Sequence, residues 1–212
     1  MKSATVLHSG LAALSLDAAL AEPLLRYLGE LEKWNRAYNL TAVRDPAEMV
    51  TRHLLDSLVL IRGGETRFAL PQTRLLDVGA GAGLPGIVLA IARPQLQVTV
   101  LDSNGKKARF MRHAVRTLGL DNVEVVEGRA EDLEAAAPFP AVVSRAFASL
   151  ADFVRLTDKA LAADGQWLAM KGKLSDSETK DIPGDVKILD IHRLDVPGLA
   201  EARQLVVATR AS

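Results

Sequence analysis

Asp77-Val78-Gly79-Ala80-Gly81-Ala82-Gly83 sets three glycines behind a short apolar run, and an acid, Asp102, follows Gly79 by 23 positions. Glycines at the end of a strand let the backbone bend sharply and approach a ligand where a Cβ would clash. A carboxylate at the end of the next strand can accept both hydroxyls of a ribose. The pair reads as a nucleoside pocket, with a plain strand-to-helix turn as the bland alternative. Gly81, Gly83 and Gly86 also satisfy the G-x-G-x-x-G dinucleotide pattern, with Asp102 as its acidic partner. Two details disfavour a dinucleotide. Its first glycine should follow the strand almost at once, yet Gly81 lies three residues past Val78. Asp77 is awkward beside a pyrophosphate but comfortable beside an ammonium or sulfonium, the charges that S-adenosylmethionine carries. The expected ligand is S-adenosylmethionine, held by Asp77, Gly79, Gly81, Gly83 and Asp102.

Further along, Glu127-Gly128-Arg129-Ala130-Glu131-Asp132 ends a third strand. Glu131 or Asp132 there can accept from an adenine amine, or simply belong to a surface loop. Arg145, in Ser144-Arg145-Ala146-Phe147, can bind a carboxylate, a phosphate or guanine O6. The acceptor is narrowed by what is missing. Carbon-5 pyrimidine methylation commonly needs a cysteine nucleophile, and the chain has no cysteine. Exocyclic amines are typically methylated beside an Asn/Asp-Pro-Pro-aromatic motif, which Ser144–Phe147 does not provide. A ring nitrogen with a free lone pair, such as guanine N7, needs no deprotonation, so catalysis reduces to alignment and electrostatics. No general base and no metal are expected. Lys106, Lys107, Arg109, Arg112 and Arg116, with His113, share one helix without an acid among them. They read as a solvated face or as a phosphate-binding one. Five such contacts to single-stranded RNA would give a salt slope of roughly −3.5.

These residues need an alternating scaffold. Leu24, Leu28 and Leu31 recur at helical spacing. Asp45-Pro46-Ala47-Glu48 reads as a capping box in which Asp45 caps and Glu48 reaches back. Val50, Leu54, Leu58 and Ile61 then form one apolar face, with Gly63-Gly64 as the stop. Strands are expected at Leu75–Val78, Leu96–Leu101, Val123–Val126, Ala141–Ser144 and Gln166–Met170. Helices are expected at Pro85–Ala92, Lys106–Leu118 with Gly119 as C-cap, and Leu150–Ala163, followed by an Asp164-Gly165 turn. Two late strands, near Val186–Ile191 and Gln204–Thr209, leave no room for a long helix between them. They should form an antiparallel hairpin. The expectation is an α/β fold: a Rossmann-like, mostly parallel sheet in residues 66–212, with a helical N-terminal extension in residues 1–65, packed as one globular unit.

The 212 residues suit one large domain or a domain with an extension. Lys and Arg balance Asp and Glu at 26 each, so only a local basic patch would serve nucleic acid. No signal-peptide pattern and no apolar run of membrane-spanning length are seen. A cytoplasmic monomer away from membranes is expected.

Trp34-Asn35, Asn39-Leu40-Thr41-Ala42, Arg52-His53-Leu54-Leu55-Asp56-Ser57-Leu58, Asp77 to Gly86, Ser144-Arg145-Ala146 and Lys171-Gly172 together resemble the bacterial GidB/RsmG family. The resemblance runs from about residue 30 to 172 and is loose after Lys173. Those enzymes have a class I methyltransferase fold and methylate guanine N7 in 16S ribosomal RNA of the small ribosomal subunit. The resemblance implies S-adenosylmethionine contacts at Gly79, Leu84, Ala130, Glu131 and Arg145. It places Asn39, Arg52, His53 and Lys171 near the RNA, to which the residues themselves add Lys106, Arg109 and Arg145. His53 as a core histidine and Asn39 as a turn residue stand beside those roles. A nicotinamide-dependent oxidoreductase and a non-catalytic RNA-binding module are the rival functions.

Overall fold

The computed structural model describes residues 2–62, 65–66, 70–147, 149–173, 178 and 181–211. Helices α1 (Lys2–Ala13) and α2 (Ala21–Tyr38) lead into a continuous helical stretch. It begins as α3 (Pro46–Met49), widens to a π-helix over Val50–Leu55 and closes as α4 (Asp56–Leu58). A small antiparallel pair follows, β1 (Ile61–Arg62) and β2 (Glu65–Thr66). The main body alternates β3 (Arg74–Val78), α5 (Gly86–Ala92), β4 (Gln97–Asp102), α6 (Gly105–Leu118), β5 (Val123–Glu127), β6 (Phe139–Ser144), α7 (Leu150–Thr157) and β7 (Leu161–Lys171). It ends with β8 (Val186–Arg193) and β9 (Gln204–Arg210).

Seven strands form one sheet in the order β5-β4-β3-β6-β7-β9-β8. The pairs from β5 to β7 are parallel, and β9 runs antiparallel to both β7 and β8. The expected C-terminal hairpin is present, with its second strand inserted between β7 and the first. Each inner strand alternates its two faces. Leu75, Val98, Val100, Ala141, Val143, Leu168, Leu205 and Val207 pack in one apolar layer with Leu7, Leu24, Leu31 and Leu54 of the N-terminal helices. Leu76, Val78, Val142, Trp167, Val206 and Ala208 pack on the other face against Leu150, Phe153 and Val154 of α7. Period-two alternation buried on both faces is what a central sheet covered by helices requires. Among the described residues no helix is long and apolar enough to cross a membrane.

Local signals hold in detail. Asp45 accepts from the Ala47 amide at 2.7 Å, although Glu48 makes no hydrogen bond back to Asp45 among the described residues. Asn104 caps α6 by accepting from the Lys106 and Lys107 amides, and Gly119 ends that helix in the left-handed region. The Gly63-Gly64 stop lies outside the described residues. The segment Leu150–Ala163 differs from the helix expected there. The α-helix ends at Thr157, whose hydroxyl donates back to Phe153 O at 2.6 Å and accepts from Trp167 Nε1 at 2.9 Å. After one 3₁₀ turn, Leu161 pairs with Phe139 and the chain is already strand. Lys159-Ala160-Leu161-Ala162-Ala163 has helical propensity, but cross-strand pairing outweighs it. The expected Asp164-Gly165 turn lies where the β6–β7 register shifts, between the Phe139 and Ala141 pairings.

Candidate active site

In an open α/β sheet a ligand sits beyond the carboxyl ends of the strands, where the strand order reverses. Here β3 is that point, flanked by β4 and β6. A cleft opens there, lined by Val78, Gly79, Leu101, Asp102, Ser103, Gly128, Arg129, Ala130, Glu131, Ala146, Phe147 and Leu156. Gly79, Asp102, Ala130 and Glu131, expected at the cofactor, meet in this one cleft. Asp77, Gly81, Gly83, Leu84 and Arg145 do not line it.

Asp102 is 5% exposed and both its oxygens are held by backbone. Oδ2 accepts from Gly81 N at 2.9 Å and Oδ1 from Asn104 N at 2.9 Å. Each carboxylate oxygen keeps a second lone pair, so the group remains an acceptor whose direction is already set. Gly79 has φ +68°, and a Cβ on it would stand 2.7 Å from the Cβ of Ala146. The turn therefore closes against the end of β6 only with glycine at this position. Ser144 adds a tie between the strands, donating to Val78 O at 2.7 Å and accepting from Ala146 N at 3.1 Å.

Asp77 lies beneath the turn and is fully buried. Its Oδ2 accepts from Gly86 N at 2.7 Å, while Oδ1 has no hydrogen-bond partner. Burial pushes this carboxyl up to about 7; the Gly86 N–H and the Arg145 cation oppose that, and the Asp102 charge adds to it. Gly86 is where α5 starts, and a Cβ there would meet Val100 Cγ1 at 2.6 Å and Asp77 Oδ2 at 2.8 Å. Gly83 sits in the left-handed region and Leu84 is buried, both serving the turn's path into α5. Tyr27 of α2 closes the underside, donating to Ala82 O at 2.6 Å. Burial raises its hydroxyl pKa well above the ordinary value.

The expected RNA residues divide into three groups. Asn39 is the left-handed C-cap of α2, and its Oδ1 accepts from Arg44 Nη2 at 2.6 Å. Asn35 holds the same loop, accepting from Thr41 N and donating to Val43 O. Thr41 Oγ1 lies 2.9 Å from His53 Nε2. His53 is buried; desolvation first, then the Arg145 cation, pushes it down to about 4, so it is neutral at pH 7. On α6, Arg112 meets Glu127 at 2.9 Å and His113 meets Glu30 at 2.5 Å, against the Trp34 ring. Lys107 lies 3.6 Å from Asp102 Oδ2. The helix has no acid of its own, yet β4, β5 and α2 supply three. Exposed Lys106, Arg109 and Arg116 have no ion pair among the described residues.

The third group surrounds Asp56, which is 2% exposed. Arg145 Nη1 lies 3.1 Å from Asp56 Oδ2, and Arg203 Nε lies 3.1 Å from Asp56 Oδ1. Arg145 Nη2 also donates to Arg52 O at 3.1 Å. Arg52 itself pairs with Glu201 at 2.5 Å, and Lys171 pairs with Glu178. Asp56 and Arg203 have no functional role in the sequence reading. Asp56 left one signal: an acid inside His53-Leu54-Leu55-Asp56-Ser57-Leu58-Val59-Leu60-Ile61 must be buried with a partner. Arg203 left none, because its partner is 147 positions away.

The description "rRNA small subunit methyltransferase G" of the GidB family matches residues 20–207. Ribosomal RNA small subunit methyltransferase G of Chromohalobacter salexigens is 55% identical over 97% of this chain and 96% of its own length. The protein of the same name from Stenotrophomonas maltophilia is 52% identical over 97% of this chain and 94% of its own. Among solved structures, TrmN from Thermus thermophilus aligns with a TM-score of 0.56 and 18% identity over 76% of this chain. This chain spans only 53% of TrmN. The S-adenosylmethionine-dependent methyltransferase SibL in its apo form aligns with a TM-score of 0.56 and 18% identity, over 90% of this chain and 70% of its own. These structures share the fold.

Proposed function

The chain belongs to the GidB family, rRNA small subunit methyltransferase G, and from that premise we propose that it transfers the methyl group of S-adenosylmethionine to guanine N7 of 16S ribosomal RNA in the small subunit. S-Adenosylmethionine would supply an electrophilic methyl on a sulfonium sulfur. The observation that carries the reading is the cleft itself, where a glycine turn closed against Ala146 faces a carboxylate oriented by two amides.

In this reading Asp102 accepts from the ribose hydroxyls with its remaining lone pairs. Gly79 carries the backbone past the ligand, the Gly81 amide orients Asp102, and Ala130 and Glu131 bound the adenine side. Asp77 acts from below the turn: it holds Gly86 in place and puts a titratable charge beneath a cationic ligand. A buried orphan oxygen such as Asp77 Oδ1 is retained at a cost, and a neighbouring positive charge offsets that cost. Arg145 stands next to Ala146 and Phe147 of the cleft lining, where it can serve the donor or the RNA, with Arg52, Lys171, and Lys106 and Arg109 of α6 on the RNA side. Guanine N7 presents its own lone pair, so the residues around it need to align and stabilise charge and need not remove a proton.

The test is transfer of labelled methyl from S-adenosylmethionine to small-subunit RNA of a strain lacking the enzyme, with nucleosides resolved after digestion. Label in 7-methylguanosine is expected. Label in another nucleoside, or none with RNA and assembled subunit alike, overturns the proposal.

A further inference from the structure

The turn between β3 and α5 sets three glycines in the left-handed region: Gly79 at φ +68°, Gly81 at +60° and Gly83 at +86°. Glycine permits this path without specifying it, since it takes up others as readily. Hydrogen bonds do the specifying. Gly79 N and Ala80 N donate to Leu101 O at 2.8 and 3.0 Å. Gly81 N donates to Asp102 Oδ2 at 2.9 Å, and Gly83 N and Leu84 N both donate to Ala80 O at 2.8 Å. These ties come from the turn itself and from β4. The peptide after Ala82 is held from elsewhere: its carbonyl accepts from Tyr27 Oη at 2.6 Å, across 55 positions. Tyr27 is fully buried and Ala82 nearly so, so water does not compete for this bond, and burial keeps the phenol protonated. The helix that carries Tyr27 is itself fastened to α6. The Tyr27 ring lies 6.3 Å from that of Phe110, Arg26 Nη2 donates to Thr117 O at 3.0 Å, and Glu30 meets His113.

We infer that Tyr27 is a positioning residue for S-adenosylmethionine, whose hydroxyl fixes the Ala82 carbonyl and with it the neighbouring Gly81 amide that aims Asp102 into the cleft. Tyr27 does not line the cleft; it acts through the turn. Without the hydroxyl a buried carbonyl loses its donor, and the glycines on either side let the peptide rotate to find another. The path that suits the ligand then becomes one of several, and the apparent Kd rises by the inverse of its population. One buried hydrogen bond corresponds to a factor of about ten. The inference rests on the methyltransferase reading above.

Tyr27→Phe removes the hydroxyl and keeps the ring against Phe110. The calorimetric Kd for S-adenosylmethionine should rise about tenfold, whereas kcat and the KM for RNA, measured at saturating donor, stay within about twofold. In the unliganded variant the Gly81 amide should exchange its proton about tenfold faster than in wild type. Thr209→Val is the matched control. It removes another hydroxyl-to-carbonyl bond, to Gly165 O at 2.9 Å, and should leave the donor Kd within about twofold. An unchanged donor Kd in Tyr27→Phe, with only a lower urea midpoint, makes the hydroxyl a structural tie and overturns the inference. An equal loss of donor affinity in Thr209→Val overturns it too, by tracing the effect to general loosening. Should Tyr27→Phe not fold in buffer, trimethylamine N-oxide favours the compact state, and the donor Kd against wild type in that solution decides by the same outcomes. Wild-type protein that binds no S-adenosylmethionine, or makes no 7-methylguanosine, defeats the reading of the function instead, so the two failures are distinguishable.

Discussion

The two sides of the site hold their carboxylates by opposite means. In the donor cleft, Asp77 and Asp102 are fixed by backbone amides 9 and 21 positions away. Beyond the cleft, Asp56 is fixed by side-chain cations, one of them 147 positions away. Amides of a turn cannot be mutated away and lose little entropy on binding, so the donor side is stiff. The Asp56 pairs are made by long side chains that give up rotamer freedom, and their burial screens them little from salt. A pocket for one small ligand gains from stiffness, whereas the exposed cations of α6, paired at the surface or unpaired, exchange partners readily.

Breaking the stiff side should have the largest effect. Gly86→Ala drives a Cβ to within 2.6 Å of Val100 and 2.8 Å of Asp77, which should destabilise the fold by about 3 kcal/mol, as overpacking of a tight core does. Urea unfolding measures it, and a midpoint equal to wild type would show that the turn gives way freely. Asp102→Ala removes charge-assisted hydrogen bonds worth about 1.5–3 kcal/mol and should weaken S-adenosylmethionine binding roughly 10- to 150-fold. Unchanged affinity by calorimetry would remove Asp102 from the donor site.

Asp77→Asn should show a smaller, pH-dependent gain. The wild-type carboxyl sits at about 7 in the fold against 3.8 unfolded, so protonation favours the folded state. That stability is fully present below pH 3.8 and is lost as pH rises to about 7. Asparagine keeps an oxygen for the Gly86 amide and carries no charge, but its buried amide N–H groups bring a cost of their own. Its advantage over wild type should grow from pH 4 to pH 7 and level off at about 2 kcal/mol. A difference that shrinks with rising pH would mean that Asp77 is not the buried titrating group.

The mobile side sets the smallest effect. With Arg112, His113 and Lys107 engaged by Glu127, Glu30 and Asp102, Lys106, Arg109 and Arg116 are left for phosphates on α6 among the described residues. Replacing all three by Gln should make the salt slope of RNA binding shallower by about 2, against roughly 3.5 for the five cations of the whole helix face. A slope that does not change would move the RNA path off this helix.

Several elements could be read directly because their causes are local. The Asp45 and Gly119 caps and the valine-rich strands each depend on residues a few positions apart, and the glycine turn and Asp102 are joined across one strand–helix–strand unit, 21 positions from Gly81. The end of α7 could not, because Thr157 stops it through Trp167 and Leu161 is drawn into the sheet by Phe139. The charges of α6 gave the same lesson. The sequence lists five cations and a histidine, but the fold brings Glu30, Glu127 and Asp102 to three of the six.

The sequence by itself determined the sheet, the turn and the acid of the donor cleft, since periodicity, glycine and a strand-end carboxylate act through the nearest backbone. Only the tertiary structure decided which polar residues face a ligand and which face one another. Asp77 lies buried beneath the turn, and His53 is buried beside Thr41, as the core histidine reading of the sequence has it. Asp56 and Arg203, without a role on paper, are joined because β9 returns beside β7 and its leading loop reaches the helix that carries Asp56. The pairing energy of a buried ion depends on distance and dielectric, and neither is set until the chain has closed.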